Sequence, residues 1–163
     1  MPEPYDMGSL ALPADSELPG LLAAFPHARA LRFSDEEFLI RPAEPATTFY
    51  LLLRGTCLVE MAPPEPEEDD GEPQEARRHG AEMFTLTATP ARPLFVGEMA
   101  CFGDGLRSAS VRSSMNSIAV ELNLADLHAI LEAFPRLTRT LCEQFSERLL
   151  ELNAQLSRHR QHL

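Results

Sequence analysis

The chain has 163 residues and a formal net charge of −11, with an apolar fraction of 44%. That is enough chain for one hydrophobic core without disulfide support. The acidic balance argues against a nucleic-acid surface, because phosphate backbones need clustered positive charge. No window approaches the eighteen or so uninterrupted apolar residues of a membrane span. The acidic start of residues 1–16 lacks the basic-then-apolar layout of a secretory signal. Cys57, Cys101 and Cys142 are odd in number, far apart and set among apolar residues. They read as reduced thiols of a cytoplasmic protein, not as disulfides or metal ligands. Every basic residue is an arginine; the chain contains no lysine.

Residues 1–16 are polar, carry prolines and show no period, so a loose arm is expected there. Ser16-Glu17-Leu18-Pro19 opens a short helix, in which Leu18, Leu21, Leu22 and Phe25 recur at helical spacing up to Pro26. From Ala30 to Met61 the pattern is strand-like. Leu31 and Phe33 alternate with polar residues, and Phe38-Leu39-Ile40 makes a short run before Pro42-Ala43-Glu44-Pro45. Phe49 to Leu53 and Cys57 to Met61 flank Arg54-Gly55, which predicts a hairpin turning at that glycine.

Residues 62–80 are dense in proline and acid and offer no apolar anchor. Burial cannot offset the ordering entropy of such a segment, so it is expected to be a mobile acidic loop between strands. It is either a solvated hairpin extension or a functional element, an acidic docking segment or a charge gate. Strands are predicted again at Met83–Ala88, Pro93–Val96, Ala109–Arg112 and Ser117–Leu122. Many short strands at close spacing suggest a jelly-roll β-barrel, the fold class being mainly β with flanking helices. At Leu124 the period changes to 3.6. Leu127, Ile130 and Leu131 define one helix ending near Phe134-Pro135, and a long C-terminal helix runs from about Arg136 to His159. The expected organisation is thus an arm (1–16), a β-roll (17–135) and a terminal helix (136–163). Along that helix Phe145, Leu149, Leu152, Leu156, His159 and Leu163 step by four and three, the seam of a two-stranded coiled coil. Either it pairs two copies into a homodimer or it is a single amphipathic helix lying on the barrel.

The stretch with most chemistry is Phe95 to Val111. Gly97-Glu98 closes an apolar run, and Arg107 follows nine positions on, leading into Ser108-Ala109-Ser110-Val111. A glycine lets a ligand approach the backbone. A carboxylate in apolar surroundings is costly unless paired or hydrogen-bonded. The guanidinium offers planar donors suited to phosphate oxygens, and small residues keep the following N–H groups accessible. Taken alone, Glu98 and Arg107 could equally form a structural ion pair in a loop.

In order, spacing and residue type this run resembles the phosphate-binding cassette of cyclic-nucleotide-binding domains, and in particular of bacterial catabolite-activator-type regulators. The likeness extends over residues 17–163, including the strand region Ile40 to Gly55, where Ala43-Glu44 stands in place of the usual Gly-Glu. It implies a double-stranded β-helix fold shared with the cupins, and a non-enzymatic sensor. In that sensor Glu98 holds the ribose 2′-hydroxyl and Arg107 the cyclic phosphate, while Gly97, Met99, Ala100, Ser108 and Ala109 line the sugar-phosphate. The base-capping positions fall near Leu152 and Asn153, and Asn153 can hydrogen-bond an adenine edge. The implied ligand is cyclic AMP, with cyclic GMP as the alternative, and no cofactor or metal is expected. Relatives of this type continue into a DNA-reading winged helix. The sequence ends at Leu163, so signalling is expected to pass to an unidentified effector protein, without DNA or membrane binding. Two other readings compete. A metal-dependent cupin enzyme would need convergent histidines, and only His27, His79, His128, His159 and His162 are present. A ligand-free dimerisation or scaffold module would keep the fold and lose the site.

Overall fold

The computed structural model of the protein describes residues 1–42, 44–61, 83–101 and 109–161. The acidic segment 62–80 and the Ala43 departure lie outside the described residues, as do Arg107 and Ser108 of the predicted site. The strands are β1 (Glu3–Pro4), β2 (Arg29–Phe33), β3 (Phe38–Ile40), β4 (Thr48–Met61), β5 (Met83–Ala88), β6 (Leu94–Val96) and β7 (Ala109–Asn123). The helices are α1 (Leu18–Ala24), α2 (Leu127–Ala133) and α3 (Pro135–Gln161). Among the described residues all seven strands join one antiparallel sheet, in the order β1-β2-β7-β4-β5, with β3 added to β7 and β6 to β4. No described helix is long and apolar enough to cross a membrane.

Two expectations about the strands are corrected. Arg54-Gly55 is not a hairpin turn: β4 runs through it as a single strand. Likewise Ala109–Arg112 and Ser117–Leu122 are halves of one strand, β7. The two strands pair from Thr48 opposite Asn123 to Met61 opposite Ala109, and the register shifts between Leu52 and Thr56. Both signals mark left-handed backbone, at Gly55 (φ 116°) and Met115 (φ 69°), spent here on a bulge. Hydroxyls hold the bulge. Ser113 Oγ donates to the Met115 carbonyl at 2.6 Å and sits 2.8 Å from Ser117 Oγ, which donates to the Thr56 carbonyl at 3.2 Å. The Met115 N–H donates to Asp35 at 2.8 Å.

Past the bulge each long strand changes its outer partner. β4 pairs with β6 over Tyr50–Leu52 and with β5 over Gly55–Glu60. β7 pairs with β2 over Ser117–Glu121 and with β3 near Val111. The result is a rolled sheet with a core on each face. Phe49, Leu51, Leu53, Phe95, Ile118, Val120 and Leu122 point to the helices, in one cluster with Leu21, Leu127, Ile130, Leu137 and Leu141. Tyr50, Leu52, Leu94, Val96 and Ala119 point the other way, into the roll, with Phe33, Ile40, Cys57, Val59 and Val111. This explains the unbroken apolar run Phe49–Leu53: a strand buried on both faces has no polar side to alternate with.

The N-terminal segment, expected as a loose arm, is docked. β1 pairs with β2, and Leu10 is buried in the helix-side core. Farther on, Glu17 accepts the Leu137 N–H at 2.8 Å, satisfying an orphan donor in the first turn of α3. Asp15 pairs with Arg136, whose hydrogen bond and charge hold that carboxyl below its ordinary range. Phe134 leaves the helical region because Pro135 follows it, which separates α2 from α3.

Two outcomes are expected from this packing. A Cβ at residue 55 would meet Ser117 Oγ at 2.7 Å and the Asn116 carbonyl at 2.9 Å. Gly55→Ala should therefore lower stability by about 1–3 kcal/mol or more in urea titration. Cys57 is fully buried, and that burial raises its thiol from an ordinary 9.0 to about 11. Because the unfolded thiol ionises first, the stability tied to this group is intact below pH 9 and lost as pH rises toward 11. A thiol reagent at pH 8 should modify the exposed Cys142 at once and reach Cys57 only after denaturant is added.

Candidate functional site

β6 ends at Val96, and Gly97 turns the chain with φ at 86°, a conformation that a side chain would strain. A 3-10 turn, Glu98–Cys101, follows. The turn carries Glu98 inward, where it is 4% exposed, while Met99 stays 54% exposed and Ala100 half-buried. A buried carboxylate at the end of a Leu-Phe-Val strand is retained only where hydrogen bonds meet it. No buried side-chain oxygen or nitrogen of the described residues lacks a hydrogen-bond partner.

Glu98 borders a cavity of about 470 Å³ between the open side of the roll and α3. Gly97, Met99, Ala100 and Ala109 line it beside Glu98, so every described member of the predicted cassette meets there. The floor comes from the interior of the roll, with Ile40, Val59, Val96 and Val111. The roof is α3, through Gln144, Phe145, Arg148, Leu149 and Leu152. The arrangement is a largely apolar hollow with acid at one edge and a cation on its lid. It suits a ligand with a flat apolar body, hydroxyls at one end and negative charge.

Asn153 does not join the lining. It is exposed on α3, and its neighbour Leu152 faces the cavity. The reason is helix geometry. Residues 145, 148, 149 and 152 lie at i, i+3, i+4 and i+7 on one face, and residue 153 falls about 100° around the axis from it.

That same face holds two polar residues the sequence reading passed over. Arg148 lines the cavity, its guanidinium carbon 3.9 Å from the centre of the Phe84 ring on β5. Gln144 lines it too, and its amide bonds both backbone groups of Phe95: N–H to Oε1 at 2.9 Å, and Nε2 to the carbonyl at 2.8 Å. Their position on the apolar face with Phe145 and Leu149 was the signal available in the sequence. A polar residue on a stripe that must be covered has a partner or a ligand to meet.

Among the described residues, no three His, Cys, Asp or Glu side chains converge as a metal site. His27 and His128 are exposed and line no part of the cavity, and His128 Nε2 lies 3.8 Å from Cys101 Sγ.

No family model matches the sequence, and comparison with curated proteins finds no match. Solved structures do resemble it. The c-di-GMP-responsive global regulator CLP of Xanthomonas campestris is 23% identical, with a TM-score of 0.63 over 86% of this chain and 62% of that one. The catabolite activator protein of Thermus thermophilus is 19% identical, with a TM-score of 0.58 over 88% of this chain and 59% of that one. A cAMP-binding acyltransferase from Mycobacterium smegmatis is 22% identical, with a TM-score of 0.63 over 90% of this chain and 40% of that one. The chain thus spans less than two thirds of the length of each. At these identities the likeness speaks to architecture. The rolled antiparallel sheet with its flanking helices and long closing helix has the fold of a cyclic-nucleotide-binding domain of the catabolite-activator type.

Proposed function

We propose that this chain is a non-enzymatic cyclic-nucleotide sensor of the cytoplasm, with cyclic AMP as its ligand and cyclic GMP as the alternative. The observation that carries the reading is Glu98, a carboxylate 4% exposed that the Gly97 turn sets at the edge of a 470 Å³ cavity. A ribose 2′-hydroxyl is the donor such a group would take. To Arg107, nine positions on in the sequence, we assign the guanidinium for the cyclic phosphate, with Ser108 contributing a hydroxyl donor. Gly97, Met99, Ala100 and Ala109 bound the sugar-phosphate. In this reading the base packs under α3, against Leu149 and Leu152 with Arg148 near its face, and the base contact expected of Asn153 falls away because that residue is outside the lining. In a chain of net charge −11, an anion is held only by positive potential concentrated at the site. The description of the mycobacterial acyltransferase as cAMP-binding supports the choice of ligand, and the c-di-GMP response of the Xanthomonas regulator puts that dinucleotide among those to test.

Calorimetric titration with cyclic AMP, cyclic GMP and c-di-GMP tests the reading. One mononucleotide should bind in the micromolar range. Glu98→Ala and Arg107→Ala should each weaken it by about 1.5–3 kcal/mol through loss of charge-assisted hydrogen bonds. Equal affinity in the parent and both variants removes the proposal. No binding at all, and no thermal shift at saturating nucleotide, leaves the ligand-free scaffold reading.

The output would run through a homodimer made by α3 and on to an effector protein. Leu149, Leu152 and Leu156, at coiled-coil spacing, are 61%, 39% and 58% exposed. Leu149 and Leu152 also line the cavity, so a partner helix on this stripe would cover its outer side. Sedimentation should find a dimer, and the Leu149→Glu/Leu156→Glu chain should be a monomer with weakened nucleotide binding. A parent chain that stays monomeric at all concentrations overturns the pairing.

A further inference from the structure

Phe95 is the middle residue of β6 and stands opposite Leu51 of β4. Its own N–H and carbonyl turn away from β4, toward an edge on which no strand is seated among the described residues. The Gln144 side chain occupies that edge and bonds both groups, at 2.9 and 2.8 Å. A primary amide carries a donor and an acceptor side by side, as a peptide group does, so one side chain completes the ladder where a strand would. Phe95 is 1% exposed, so with α3 seated water does not reach these two backbone groups and the Gln144 amide is what satisfies them.

The contact is placed where it matters. Gly97 and Glu98 follow Phe95 within three residues. On the helix Phe145, Arg148, Leu149 and Leu152 follow Gln144 within about two turns, and all line the cavity. Below this level α3 is held by the buried Leu137 and Leu141, and above it Leu149, Leu150 and Leu156 are exposed. Apolar packing resists separation but tolerates sliding, whereas a two-point hydrogen bond defines register.

We infer that Gln144 is a positioning residue that locks α3 in register with the strand carrying Gly97 and Glu98, so that the cavity edge and the exposed half of the helix move as one. The consequence for ligand signalling rests on the cyclic-nucleotide reading above; the lock itself does not.

Amide exchange of the 163-residue chain, read at Phe95 and along residues 145–156 with and without cyclic AMP, tests it in Gln144→Met and Gln144→Glu. The methionine has the length and neither polar group. Phe95 exchange should accelerate at least about tenfold, the scale of one lost buried hydrogen bond, and nucleotide should no longer alter protection along the helix. In Gln144→Glu the ionised carboxylate has no donor for the Phe95 carbonyl and is repelled by it, so the two-point contact opens and the N–H loses its acceptor as well. Protonation restores a donor, so protection at Phe95 should return on acidification, which a purely space-filling role would not produce. The inference is overturned if Phe95 exchanges as slowly in Gln144→Met as in the parent. A glutamate variant whose protection is indifferent to pH overturns it too, as does nucleotide altering helix protection equally in the parent and the methionine chain. If cyclic AMP affects no chain, the cyclic AMP assignment fails, and exchange at Phe95 in the nucleotide-free chains still decides the lock.

Discussion

The pairing of β4 with β7 is the constraint on which the molecule rests. Two strands of this length cannot stay in one flat layer, because strand twist accumulates along them. They relieve it at a single level, where Gly55 and Met115 adopt left-handed backbone and Ser113 and Ser117 hold the displaced groups. Beyond that level each strand meets new neighbours, and one ladder becomes the two layers of a roll.

The cavity follows from this. Side-chain parity along β4, β6 and β7 sends alternate residues into the roll and toward the helices, so both faces of the sheet are dry. Where β6 stops, the Gly97 turn moves the chain off the sheet and brings Glu98 to the edge of the apolar hollow. In such surroundings a carboxylate interacts with its partners far more strongly than at the surface, for want of competing water.

α3 serves two environments. Its first turns are anchored by Leu137, Leu141 and the Glu17 cap, and its second half presents leucines to solvent. Between the two lie Gln144 and Arg148, one bonded to strand β6 and the other held over Phe84. The helix is therefore fixed at its base, tied at the cavity and uncovered beyond it. That gradient of constraint is the route by which the proposed sensor would carry a local event at the site to an exposed surface.

Local pattern was enough to identify the strands β2, β3, β5 and β6, the break at Pro135, the long terminal helix and the Gly97-Glu98 turn. Each depends on periodicity or on a residue whose backbone preference is intrinsic. It could not say whether Gly55 reverses the chain or only bulges it, since both outcomes need the same positive φ. The partner strand decides, and β7 pairs with both halves of β4. The docking of residues 1–16 was hidden for a similar reason, because Leu10 and Asp15 find their partners far along the chain. In the site, the stripe through Phe145 and Leu152 was legible, but its orientation over the cavity was not. Tertiary packing turned Leu152 and Arg148 inward and left Asn153 outside, and it set Gln144 against the free edge of a strand nearly fifty residues away. A sequence encodes which residues share a helix face; only the folded neighbours determine what that face meets.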